Sequence, residues 1–149
     1  MSRELKIRIV EEMKKAMRAR NKERLGTIRL ILSELKRIEV DERIELEDNR
    51  ILVILDKMVK QRRDSVEQYT NAGRQELADV EINEIKIVQE FLPEALSDSE
   101  ILVIVLEAIK STNASSMKDM GAVMSAIKPK VQGRADIGKV SKVIKDKLI

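Results

Sequence analysis

Leu25, Ile28, Leu32, Leu35 and Ile38 recur at steps of three and four residues. On an α-helix that spacing gathers them into one apolar stripe, a seam able to pack against a second helix. The same rhythm returns along the chain, in Leu5, Ile9, Met13 and Met17, then in Leu52, Leu55, Val59, Val66 and Tyr69. A strand alternates with period two and would scatter these side chains over both faces. The spacing therefore predicts an all-α protein. Composition agrees, since Tyr69 and Phe91 are the only aromatics and the core must be built from Leu, Ile, Val and Met. Such a core, with five Gly and two Pro in 149 residues, suits helix packing better than a sandwich or a barrel.

Start and stop signals divide the pattern into seven helices. The first spans about 2–20, with Ser2 as its cap, and Asn21 caps a second over about 22–40. The short link makes these two an antiparallel hairpin. Gly26 interrupts the second helix, and close approach of a neighbouring helix is its expected reason. Residues 40–49 are polar and read as a loop. A third helix follows over about 47–71, ended by Asn71-Ala-Gly73, and a fourth over about 74–90. Phe91-Leu-Pro-Glu-Ala-Leu96 is the domain boundary, because Pro93 cannot continue the preceding helix. Ser97 and Glu100 have capping-box spacing and open a fifth helix over about 98–111. Its run Ile101–Leu106 is apolar nearly all round, which predicts a central place in the second core. Two short helices, about 118–128 and 136–148, complete the chain. The expected architecture is an N-terminal helical bundle over 1–92 and a small C-terminal three-helix domain over 93–149.

Absent residue types exclude much chemistry. The chain has no His and no Cys, hence no Cys/His zinc site, no thiol nucleophile and no Ser-His-Asp triad. No Walker-type loop, GxGxxG or carboxylate-rich calcium loop is present. The carboxylates Asp79, Glu81, Glu84 and Glu90 read as a solvated acidic face. No catalytic residue, metal or cofactor is expected. The longest apolar run is far too short to span a bilayer, and no secretory h-region is visible at the N-terminus. With no cysteine, a cytoplasmic location is the default expectation.

The net charge of +3 conceals an asymmetry. Residues 1–37 sum to +7, residues 38–107 to −10 and residues 108–149 to +6. Two basic ends around an acidic middle favour a polyanionic partner. The first candidate contact is the loop from Lys128 through Lys130 and Gly133 to Arg134, read as leading into a helix N-terminus whose free N–H groups favour phosphate. Gly133 permits a positive φ there, and Asp136 reads as the cap of the last helix. A second cluster, Lys57, Lys60 and Arg63, shares one side of the third helix, with Asp56, Asp64 and Glu67 near enough to neutralise it. Arg24 and Arg29 extend a basic surface from the first hairpin. Arg62 falls on the apolar face and is expected to meet a carboxylate instead. Met117, Met120 and Met124 read as core packing. Without aromatic platforms for splayed bases, a nucleic-acid partner would be held by backbone and shape, which suits structured RNA and carries no DNA specificity.

Six ordered motifs connect the chain to a known family. They are Arg24-Leu-Gly-Thr-Ile-Arg-Leu30, Lys60-Gln-Arg-Arg-Asp-Ser65, Ala72-Gly-Arg-Gln-Glu-Leu77, Phe91-Leu-Pro-Glu-Ala-Leu96, Lys118-Asp-Met-Gly-Ala-Val-Met124 and Lys128-Pro-Lys-Val-Gln-Gly-Arg-Ala-Asp136. With them the chain resembles the GatB/YqeY family, and specifically its small stand-alone YqeY-like members. The resemblance implies an all-α fold and a C-terminal domain like the tail of the B subunit of the tRNA-dependent amidotransferase, a module also appended to some glutaminyl-tRNA synthetases. It implies tRNA as partner, with an aminoacyl-tRNA synthetase or amidotransferase components beside it. Glutamine hydrolysis and amide transfer belong to other domains of that assembly. The leading expectation is a non-catalytic tRNA-binding accessory module. The alternatives are a component of glutamine-dependent amidation and a protein-interaction scaffold.

Overall fold

A computed structural model of the chain describes residues 2–148. Among these it holds seven α-helices and a 3₁₀ turn at Met117–Asp119, with no strand. The helices are α1 (Glu4–Arg18), α2 (Lys22–Glu42), α3 (Asp48–Asn71), α4 (Gln75–Gln89), α5 (Asp98–Thr112), α6 (Met120–Val131) and α7 (Ile137–Leu148). The chain divides into two compact units, Met1–Leu92 with α1–α4 and Pro93–Ile149 with α5–α7.

In the first unit α1 packs chiefly on α2, and α3 on α4. The apolar stripes meet in a core of Ile9, Ile28, Ile31, Leu35, Ile51, Leu55, Val59 and Val88, closed by Phe91. Asn21 caps α2 as its sequence predicts, its Oδ1 accepting from the Arg24 N–H at 3.2 Å. The start of α1 differs from expectation. Ser2 stands outside it, and the Leu5 N–H donates instead to Asp48 Oδ1 at 3.0 Å, a cap supplied from 43 residues away. The segment read as a loop from residue 40 is shorter, because α2 continues to Glu42 and stops at Arg43 in the left-handed region, φ 56°. That loop is tied down by Glu39, whose Oε1 accepts from Lys6 Nζ at 2.7 Å and Oε2 from the Leu46 N–H at 3.1 Å. Leu46 is thereby buried in the core. Gly26 is not a point of close helix approach. A Cβ built there meets no atom within 4 Å.

The second unit closes its own core with Ile101, Val105 and Ala108 of α5, Val123, Ile127 and Val131 of α6, and Val140, Ile144 and Leu148 of α7. Ser97 and Glu100 form the expected capping box, each side chain bonded to the other's N–H at 3.2 Å. Only one side of α5 is central, since Val103 and Leu106 remain 53% and 47% exposed. Met120 and Met124 pack against the core, whereas Met117 lies exposed.

Candidate nucleic-acid interface

Lys128 and Lys130 were expected in a loop, but they occupy the last turn of α6, with Pro129 inside the helix. The reason is the core. Ile127 and Val131 are four residues apart and both are fully buried, so seating Val131 draws the helix one turn past Lys128. Pro129 has no N–H to give the Ser125 carbonyl, so the last turn of α6 forgoes one helical bond for that seating. Both lysines are exposed. They sit at the negative end of the α6 dipole, which favours cations without any partner.

Gly133 and Arg134 shape the turn that follows. Gly133 has φ 76°, a left-handed conformation that costs a Cβ-bearing residue roughly 1–2 kcal/mol. Arg134 is tied to its own unit at both ends. Its carbonyl accepts from the Leu96 N–H at 2.8 Å, and its Nε donates to the Glu94 carbonyl at 3.2 Å. The N-terminus of α7 does not offer a vacant anion seat either, because Asp136 caps it by accepting from the Gly138 N–H at 3.1 Å. A phosphate there would meet a carboxylate. The expectation of an anion-binding helix N-terminus is corrected, and Lys128 and Lys130 are what remains of that candidate.

On α3, Lys57, Lys60 and Arg63 are exposed, and none makes an ion pair among the described residues. Glu34 draws on Lys57 through space but at no pairing distance. Arg62 turns the other way, its Nε donating to Glu84 Oε2 at 2.8 Å with both side chains largely enclosed. Arg24 also faces inward. Its guanidinium pairs with Glu90, and with Glu12 at 3.3 Å, at 23% side-chain exposure. Arg8 joins the group, lying 5.3 Å from the Phe91 ring centroid and donating to the Glu90 carbonyl at 2.8 Å. The Arg24 and Phe91 motifs therefore meet in a bracket that fixes the end of the first unit. This accounts for Arg24 as structure and removes it from the available cations.

Of the seven acidic side chains in residues 93–149, three are spent on helix starts and Asp98 on Lys139, while Glu94, Glu107 and Asp146 stay exposed. Glu100 accepts from the Ser97 N–H, Asp119 from the Ser115 and Ser116 N–H groups, and Asp136 from Gly138. The backbone N–H of Ser97 pulls Glu100 below the usual carboxylate range, and those of Ser115 and Ser116 do the same for Asp119. Both stay ionised, but their charge serves helix starts. Of the nine basic side chains in residues 93–149, Lys139 alone is ion-paired among the described residues, to Asp98 at 2.6 Å. Sequence reasoning passed over Lys142, Lys145 and Lys147, exposed on α7. Their signal was available, since Lys139, Lys142 and Lys145 recur every third residue opposite the buried Val140, Ile144 and Leu148.

The four carboxylates Asp79, Glu81, Glu84 and Glu90 are not one solvated face. The half-buried Glu81 and Glu84 both lie near Arg62, which pairs with Glu84. Glu90 is held by Arg24, and Asp79 accepts from Gln75 at 2.8 Å. No group of three His, Cys, Asp or Glu that could hold a metal occurs among the described residues. No helix among them is long and apolar enough to cross a membrane.

Comparison with known proteins bears on this geometry. A family profile described as Yqey-like protein matches residues 6–148. The chain is 32% identical over 145 residues to the Pyrenophora tritici-repentis protein named "Altered inheritance of mitochondria protein 41, mitochondrial", covering 93% of this chain and 78% of that one. It is 38% identical over 122 residues to the Clavispora lusitaniae protein of the same name, covering 78% and 69% respectively. Relatives named as mitochondrial overturn the cytoplasmic expectation. That expectation rested on missing cysteines, and a chain without thiols is compatible with any compartment, so composition carried no address.

Proposed function

The chain belongs to the Yqey-like protein family, and from that membership we propose that it is a non-catalytic module that binds tRNA through the phosphate backbone. One observation carries the reading. In the second unit Glu100, Asp119 and Asp136 cap helices and Asp98 holds Lys139, while Lys128, Lys130, Lys142 and Lys145 stay exposed and unpaired among the described residues. An unpaired lysine costs nothing to desolvate from a partner carboxylate when a phosphate arrives, and each releases counterions from the RNA. Lys57, Lys60 and Arg63 provide a comparable patch on the first unit. The scarcity of aromatics favours recognition by shape over base stacking. An aminoacyl-tRNA synthetase or amidotransferase components are the protein partners that fit this role.

Filter binding of unfractionated tRNA across a salt series tests the reading. Four phosphate contacts give a slope of about −3 in log affinity against log salt. Changing Lys128, Lys130, Lys142 and Lys145 together to Glu should weaken retention by at least about tenfold, leaving what the α3 patch holds, with the helical signal intact. Binding that ignores both salt and this variant refutes the proposal. Arg134 is left out of the variant because its loss would disturb the 94–96 segment. Incubation of the pure chain with misacylated tRNA, glutamine and ATP should yield no amidated product, and turnover would overturn the non-catalytic assignment.

A further inference from the structure

Gly26 has no use within its own chain. It lies in the second turn of the 21-residue helix α2, where glycine is the poorest helix former after proline. Its φ is not positive, and a Cβ there would enter open space. Neither backbone nor packing calls for it. Gly26 instead floors a cleft of about 400 Å³ between α2 and α4, lined by Lys22, Glu23, Thr27, Leu30, Val80 and Glu84. Leu30 and Val80 flank it at 49% and 52% exposure, among the larger apolar side chains left in solvent. A glycine beside two uncovered aliphatics is a notch into which another backbone or side chain can come close.

The charges around the notch say what fits it. Glu84 is occupied by Arg62, and Glu23 accepts from Asn83 at 3.3 Å. That leaves Lys22, a single cation over an apolar floor, which is no track for a nucleic-acid backbone. A helix suits the floor better. Lys22, Gly26, Leu30 and Glu34 stand four apart and form one ridge of α2 about 18 Å long. Along it the order is cation, notch, knob, anion. Reversed, that order is its own complement. Glu34 is half-buried and already holds Arg37 at 2.5 Å, so a second cation must share that carboxylate.

We propose that α2 packs antiparallel against α2 of a second copy of this chain. Leu30 of each copy seats over Gly26 of the other, and Lys22 of each faces Glu34 of the other. The same register sets Glu23 against Ser33, so no like charges stand directly opposed. The contact is isologous, as a two-fold dimer requires, and Val80 widens its apolar centre. The patch is small, so the dimer belongs to the weak, concentration-dependent class.

Sedimentation equilibrium of nuclease-treated full-length chain from about 20 μM to about 0.5 mM tests this, a range suited to weak association. A reversible monomer–dimer equilibrium is the expected result. Gly26→Ala should weaken it by at least about tenfold, with a thermal midpoint equal to or above that of the parent, since the methyl enters open space on a helix. Lys22→Glu and Glu34→Lys should each be monomeric alone. An equimolar mixture of those two variants should regain the dimer, because each copy then supplies the charge the other lacks. A chain monomeric across the range overturns the proposal. So does a Gly26→Ala variant that associates like the parent, or a mixture that stays monomeric. Retention of tRNA by Gly26→Ala should match the parent, so failure of the dimer and failure of RNA binding are read separately.

Discussion

Arg62→Ala and Glu84→Ala remove opposite halves of one ion pair, yet they should differ in cost by about a factor of two or more. The pair is 2.8 Å long, with side chains 15% and 21% exposed. Glu81, one helical turn before Glu84, is pushed above the usual carboxylate range, first by burial and then by Glu84, while Arg62 pulls it down. Arg62 thus serves two carboxylates. Its removal strands both in a poorly hydrated groove and should cost about 2–3 kcal/mol, below the 3–5 typical of fully buried pairs because some water remains. Glu84→Ala leaves Arg62 with Glu81 still beside it and should cost about 1 kcal/mol. Urea unfolding followed by far-UV circular dichroism measures both, a loss of 2–3 kcal/mol lowering the midpoint by about 1–2 M for a slope near 1.5 kcal/mol/M. The pH dependence gives a second check. An acid whose folded pKa is raised binds its proton more tightly in the native state, so stability recovers as pH falls toward the unfolded value. The Arg62→Ala deficit should therefore shrink between pH 7 and about pH 4.5, near the ordinary carboxylate range. A Glu84→Ala variant as unstable as Arg62→Ala, or a deficit flat in pH, refutes the account of Arg62 as a shared counterion.

Glu39 gives the opposite sign. Lys6 first, and the Leu46 N–H as well, hold it below its ordinary value of 4.5, so its contribution is complete above that pH and is lost as pH falls through the lower folded value. Glu39→Ala should cost about 1–2 kcal/mol at pH 7 and blunt the acid limb of a stability–pH profile. In the second unit, Val131→Ala empties a fully buried site and should lower stability by about 1–3 kcal/mol in calorimetry, showing that the core is what carries α6 past Pro129. Gly133→Ala should cost about 1–2 kcal/mol at φ 76°, with the shift read in the same thermal scan.

The helix count and the core were legible because both follow from side-chain spacing, which is local information. Asn21, Ser97 and Asp136 could be named as caps from their types and places, since a cap needs a short polar side chain and a helix start. What spacing cannot report is a partner far along the chain. Asp48 caps α1 across 43 residues, and Glu39 fastens the loop carrying Leu46. Neither bond has a periodic signature. The fold places the candidate interface residues differently for the same reason. Lys128 and Lys130 sit next to a proline, and proline's rule predicts a break, but two fully buried residues four apart outweighed the rule. Arg24 looked like one more surface cation until Glu12 and Glu90 closed on it. A positive charge in the sequence is therefore only a candidate. It becomes available to a phosphate when the fold has assigned neighbouring carboxylates elsewhere, as in the second unit the N-termini of α5 and α7 and the turn before α6 take Glu100, Asp136 and Asp119.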